Sequence, residues 1–290
     1  MYKLEFVLVS TDHLPNRLWF RDEEDFKVAM NYVALLSGLL GIPVLAFILM
    51  SNHVHLVLGC SPEEALRFIT EFKRRYSKYY QHKYGVREFL RGNGVDIKPL
   101  SLEDESVKRA IAYVQMNSVA AGICANASYY PWGSGNCFFR VDQPAGTFLK
   151  DLSRRKQIRL LHSFDRPKET LRLTDGDYID PFSFSFVSIR FVEQLFVSPS
   201  RYNYFLQSSS KARLRLQESA LPSFRDQNIL AGVQDLCQSL FRKHTLKELS
   251  SEETGELLRQ LHFRFSADPA QLARVLEMPY DQVVRLLDSM

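Results

Sequence analysis

The spacing of apolar positions changes several times along the chain, and each change predicts an element. Residues 4–10 (LEFVLVS) form a short apolar run and predict a first strand. From Asp22 to Leu40 the apolar positions Phe26, Ala29, Met30, Val33, Leu36 and Leu40 recur at helical spacing. Asp22 suits the N-cap, Glu23 and Glu24 complement the first turn, and Gly41 and Pro43 end the helix. Two apolar runs follow, Val44–Met50 and His53–Leu58, joined by Ser51-Asn52; they predict an antiparallel hairpin. A long helical pattern covers Pro62–Tyr84 and stops at Gly85, Gly92–Leu100 reads as a loop, and Leu102–Ala120 reads as a helix ended by Gly122. This order predicts an α+β domain, a small antiparallel sheet with flanking helices, over residues 1–140.

The character changes beyond that point. Residues 141–290 predict a mainly helical C-terminal domain, with helical patterns over Ile229–Lys243 and Thr254–Phe263. The Ser/Phe/Tyr-rich stretch Tyr178–Tyr204 has no assignable period. At the end, Pro269–Leu276 and Tyr280–Leu287 predict two short helices around a turn at Glu277–Pro279. The segment 266–290 is therefore helix-turn-helix-like, a candidate for duplex DNA, although Arg274 and Arg285 are its only basic residues.

Composition narrows the class. The 290 residues are 46% hydrophobic and 24% charged, which is ordinary for a globular protein able to build its own core. Cys60, Cys124, Cys137 and Cys237 form no CxxC pair and read as free thiols. No run approaches the ~18 apolar residues of a membrane span, so the expectation is a soluble cytoplasmic protein with no membrane partner.

The net charge of +4 is a mild tilt toward polyanions, and its distribution says more. From Arg67 to Arg91 the chain carries Arg67, Lys73, Arg74, Arg75, Lys78, Lys83, Arg87 and Arg91 against Glu71 and Glu88, with tyrosines interleaved. Such a mixture suits a phosphate backbone with bases stacked on the rings, and Lys73, Arg74, Arg75 and Lys78 are the expected DNA contacts. The competing explanation is a solvated helix face.

The candidate chemistry lies in FILMSNHVHLVLG. On a strand, His53 and His55 share a face, and two imidazoles so placed can hold one divalent metal. Two hydrogen-bonded structural histidines would give the same pattern. In the expected helix Leu102–Ala120, AYVQMNSVAAG puts Tyr113 and Asn117 one turn apart. Asn offers a hard oxygen ligand suited to Mg²⁺ or Mn²⁺, and Tyr offers a phenol that needs help to act as a nucleophile at neutral pH.

Together, HVH preceded by Asn, then YVQMN followed by VAAG, resemble the single-tyrosine HUH transposases, and within them the REP-associated tyrosine transposases. Trp19-Phe20-Arg21-Asp22, Phe72-Lys73-Arg74-Arg75-Tyr76 and Tyr130-Pro131-Trp132 extend the resemblance over roughly residues 1 to 140. It implies an HUH, ferredoxin-like catalytic domain in which His53, His55 and Asn117 bind Mg²⁺ or Mn²⁺. It implies that Tyr113 attacks a phosphate of single-stranded DNA carrying palindromic hairpins, leaving a 5′-phosphotyrosine link and a free 3′-OH. It leaves a monomer or a homodimer open. Two positions depart from the pattern: Ser51 stands where the family often has Pro, and Ser118 where Pro commonly follows the Asn. Two other functions compete. One is a hairpin-binding regulatory protein that no longer cleaves; the other is an HxH metallohydrolase with no covalent step.

Overall fold

The computed structural model describes residues 5–14, 16–140, 146–175, 177–181, 186–209 and 224–288. Leu4, expected in the first strand, residues 141–145 of the expected connection, and Ser289 and Met290 of the terminal segment lie outside them. Four strands form an antiparallel sheet: β1 (Phe6–Thr11), β2 (Val44–Met50), β3 (His53–Leu58) and β4 (Val95–Leu100). Their order is β2-β3-β1-β4. The mixed architecture agrees with the α+β expectation, and the β2–β3 hairpin forms as the two apolar runs imply, pairing Met50 with His53 across Ser51-Asn52.

One expectation fails here. Residues 92–100 are not all loop: Val95–Leu100 pair with β1 as an edge strand. The alternation Val95-Asp96-Ile97-Lys98 is the period of a strand with one wet face, and its charges and Pro99 protect an open edge. The opposite edge is covered. Leu49 N donates to Trp132 O at 2.8 Å and Ser188 N donates to Val44 O at 2.8 Å. Gly133 lies so close to β2 that a Cβ there would stand 2.8 Å from Phe47 O.

Helices α1 (Glu23–Leu40) and α2 (Pro62–Tyr84) pack against each other and the sheet. Both are capped at each end. Asp22 accepts from Asp25 N, and Ser61 and Glu64 close a capping box. Gly41 and Gly85 take left-handed conformations with φ of 67° and 73°. The aromatic motifs are core pieces. Trp19 stacks with Phe72 and Tyr76, and Trp132 stacks on Phe26 at 4.9 Å between centroids.

Helix α3 (Ser106–Gln115) starts four residues later than expected and stops at Met116, where a short α4 (Asn117–Ala120) begins. After it come α5 (Arg154–Leu161), α6 (Ile189–Phe196) and α7 (Pro199–Ser208). The last two cover Ile189–Tyr204 of the stretch without an assignable period, of which residues 182–185 lie outside the described residues. Leu149, Leu161, Ile179, Val192, Phe196 and Phe205 belong to the same buried cluster as the sheet. Segments on both sides of residue 140 thus contribute to one buried cluster. A second cluster is built from α8 (Asp226–Phe241), α9 (Ser251–Phe265), α10 (Pro269–Leu276) and α11 (Tyr280–Asp288). Among the described residues, no helix is long and apolar enough to cross a membrane.

Candidate active site on the β2–β3 hairpin

Alternation along β3 sends His53 and His55 to one face of the sheet, and α3 crosses that face. Both histidines are buried, with ring centroids 4.8 Å apart. The half-buried Tyr113 ring meets His55 edge-on at 5.4 Å. The predicted pair and the predicted tyrosine are therefore together, brought from elements some sixty residues apart in sequence.

The imidazoles are held from behind. Asn52 Nδ2 donates to Leu14 O at 3.3 Å, so its Oδ1 is the acceptor facing His53 Nδ1 at 2.8 Å. That bond assigns the proton of His53 to Nδ1 and leaves Nε2 with the lone pair a metal would use. His55 Nδ1 lies 2.8 Å from Ser10 Oγ, a hydroxyl that can donate or accept there and holds the ring in place. Carbonyl and hydroxyl partners of this kind orient metal-ligating histidines, so the donor chemistry fits a divalent cation.

Asn117 is buried next to the helix break. Its Nδ2 donates to Tyr113 O at 2.8 Å and Val114 O at 3.3 Å, which leaves Oδ1 as the only atom it could offer a metal. Among the described residues, no group of three or more His, Cys, Asp or Glu side chains is placed to hold a metal ion.

Burial raises the phenol pKa of Tyr113 above the usual tyrosine value, and the positive field of Lys98 partly opposes it. Lys98 belongs to β4, the strand that sequence reasoning took for a loop. Ser10 pairs with His55 on one side and with Asp96 on the other, so Asp96 shares the histidine face, and Lys98 shares it two residues on. His13 was also missed. Its ring stacks on His53 at 3.7 Å, and no periodicity of the sequence points to it.

The interleaved tyrosines on α2 are largely enclosed. Tyr76, Tyr79 and Tyr80 are all core residues. Tyr76 Oη donates to Trp19 O, and Tyr79 Oη donates to Asp25 Oδ1 at 2.9 Å. Burial pushes the phenol of Tyr80 up to about 12 and that of Tyr76 well above its usual value. Tyr76, Tyr79 and Tyr80 are thus not a stacking platform for bases, which corrects the reading of the interleaved aromatics.

The basic residues of α2 divide. Arg75 bonds Glu71 at 2.7 Å and Asp165 at 2.5 Å, and Lys73 Nζ donates to Asn93 O. Burial lowers the Lys73 pKa. Arg74 is exposed although paired with Glu71, and Lys78 is exposed. In the terminal segment, Arg274 lies against Asp226 at 2.8 Å, and Arg285 Nε donates to Asp281 O at 3.1 Å.

No protein-family model matches the chain, and no curated protein matches it. Among solved structures, the chain is similar to a REP-associated tyrosine transposase bound to a REP hairpin. The identity is 10%, the match covers 47% of this chain and 80% of that one, and the TM-score is 0.33, too low to equate the two folds.

Proposed function

We propose that the chain is a metal-dependent, single-tyrosine DNA transposase that nicks and rejoins single-stranded DNA at palindromic hairpins. The observation that carries this reading is the meeting of His53 and His55 with Tyr113 on one sheet face, with both imidazoles held from behind at Nδ1. The substrate class and the polarity of cleavage follow from the sequence resemblance.

His53, His55 and Asn117 Oδ1 would hold Mg²⁺ or Mn²⁺. A bound cation of this kind supplies Lewis-acid polarisation of a phosphate oxygen. Tyr113 Oη attacks the scissile phosphorus, the bond from phosphorus to the 3′ oxygen breaks, and that oxygen leaves as a 3′-OH with one proton. The phosphate stays on Tyr113 as a 5′-phosphotyrosine ester, so one phosphoester replaces another and rejoining needs no nucleotide. Lys98 lowers the cost of phenolate character on Tyr113. Arg74 and Lys78 would meet the backbone of the bound strand.

The test is cleavage of labelled hairpin-bearing single strands, from the palindromes flanking the gene, in Mg²⁺ or Mn²⁺. Nicking that disappears in Tyr113→Phe, in His55→Ala and in EDTA supports the proposal. Tight hairpin binding with no nicking under any of these metals contradicts it in favour of a non-cleaving regulatory protein.

A further inference from the structure

The helical unit of residues 224–288 reaches the hairpin turn through one buried carboxylate. Asp226, the first residue of α8, is 4% exposed. Arg274 of α10 donates to it through Nε at 2.8 Å and Nη2 at 3.1 Å, and Gln271 Nε2 donates at 2.8 Å. The positive end of the α8 dipole favours a carboxylate there. Ser51 Oγ completes the set, donating to Asp226 Oδ2 at 2.5 Å. Gln227 adds a second link, with Nε2 donating to Phe20 O at 2.7 Å.

Ser51 itself is fixed on its other side. Its carbonyl accepts from Trp19 N at 2.7 Å and Phe20 N at 3.2 Å. The next residue is Asn52, whose Oδ1 accepts from His53 Nδ1. An unbroken line of bonds and one peptide link thus runs from Arg274 through Asp226, Ser51 and Asn52 to the His53 ring. Ser51 is also a position at which the chain departs from the pattern it resembles. A proline there would have no donor for Asp226.

We infer that Asp226 and Ser51 are positioning residues: the C-terminal helical unit clamps the β2–β3 turn and thereby fixes the ring orientation and tautomer of His53. The inference rests on the reading of His53 as a metal ligand only for its consequence, not for the clamp. It also gives Arg274 a role other than contacting duplex DNA. A ligand whose supporting bonds are lost typically costs 10–100-fold in metal affinity.

The test uses the full chain with Ser51→Ala and Ser51→Thr, after thermal melts show both still folded. The first readout is the His53 tautomer in metal-free protein, from long-range ¹H–¹⁵N spectra. The second is Mn²⁺ affinity, from the EPR signal of free Mn²⁺. Ser51→Ala is expected to mix the tautomers and weaken Mn²⁺ binding about tenfold. Ser51→Thr, which keeps the hydroxyl, restores both. A Ser51→Ala protein with the wild-type tautomer and wild-type Mn²⁺ affinity overturns the inference. A wild-type protein that binds no Mn²⁺, while Ser51→Ala still changes the tautomer, overturns the metal reading and supports the clamp.

Discussion

Replacing Asp25 by alanine tests whether the charges at the end of α2 are structural. Asp25 is fully enclosed at 0% exposure. Its Oδ1 accepts from Tyr79 Oη at 2.9 Å and Lys83 Nζ at 2.9 Å, and its Oδ2 accepts from Arg21 N at 2.7 Å and Tyr84 Oη at 2.9 Å. Breaking a buried ion pair by removing one partner costs about 3–5 kcal/mol. Here Lys83 keeps Asp22 at 2.7 Å and is partly exposed, so its ammonium is not stranded. The loss falls on the buried Tyr79 hydroxyl and the Arg21 amide, which places Asp25→Ala at the low end, about 3 kcal/mol. Asp25→Asn keeps the shape and one acceptor and should cost less, about 1–2 kcal/mol. Urea unfolding followed by tryptophan fluorescence reads the right region, because Trp19 and Trp132 are both buried in that core. A loss under about 1 kcal/mol in Asp25→Ala would refute the reasoning, since a buried Tyr79 hydroxyl whose proton has lost its acceptor, with only Lys83 Nζ still donating to it at 3.1 Å, should alone cost more. A gain in affinity for single-stranded DNA would refute it too, because Lys83 and Tyr84 would then be DNA groups masked by Asp25.

Three further outcomes are expected. The guanidinium of Arg74, and then that of Arg75, hold the Glu71 carboxyl near pH 2 instead of its usual 4.5. A depressed carboxyl contributes stability above its unfolded value and loses it on acidification. The decline in stability between pH 4.5 and about 2 should therefore be shallower in Glu71→Gln, and an unchanged acid limb in chemical denaturation would contradict this. Gly133→Ala forces a methyl to 2.8 Å from Phe47 O and 3.2 Å from Ile48 Cα, so it should cost about 1–3 kcal/mol by displacing the segment from β2; a melting temperature equal to wild type would contradict this. Arg74→Ala and Lys78→Ala should each weaken binding to single-stranded DNA and reduce its salt dependence, whereas Arg75→Ala should mainly lower thermal stability; fluorescence anisotropy across a salt series separates them.

Local rules made much of this molecule legible. The two apolar runs around Ser51-Asn52 could only bury themselves as a hairpin, and β-alternation then placed His53 and His55 on one face. Asp22, Gly41 and Gly85 marked helix ends because each supplies a hydrogen bond or a left-handed turn. The failures came where tertiary context decides. β4 has alternation but little apolar content, and its pairing with β1 is a long-range event that its own six residues do not announce. The tyrosines of α2 looked like a nucleic-acid surface because polar and apolar uses of Tyr have the same spelling; only packing against Trp19 and Phe89 shows them buried. Arg75 and Lys73 find partners far along the chain, at Asp165 and Asn93. Ser51 is the clearest case: as sequence it is a turn residue, while in the fold it joins two cores through a carboxylate 175 positions away.

The most direct test of the central claim is the chemical identity of the trapped intermediate. The protein would be incubated with Mn²⁺ and a hairpin-bearing single strand, denatured, digested with protease and nuclease, and read by mass spectrometry. The account expects a nucleotide esterified through its 5′ phosphate to the peptide containing Tyr113, absent in His55→Ala. An adduct on another tyrosine, or cleavage with no adduct at all, would contradict it.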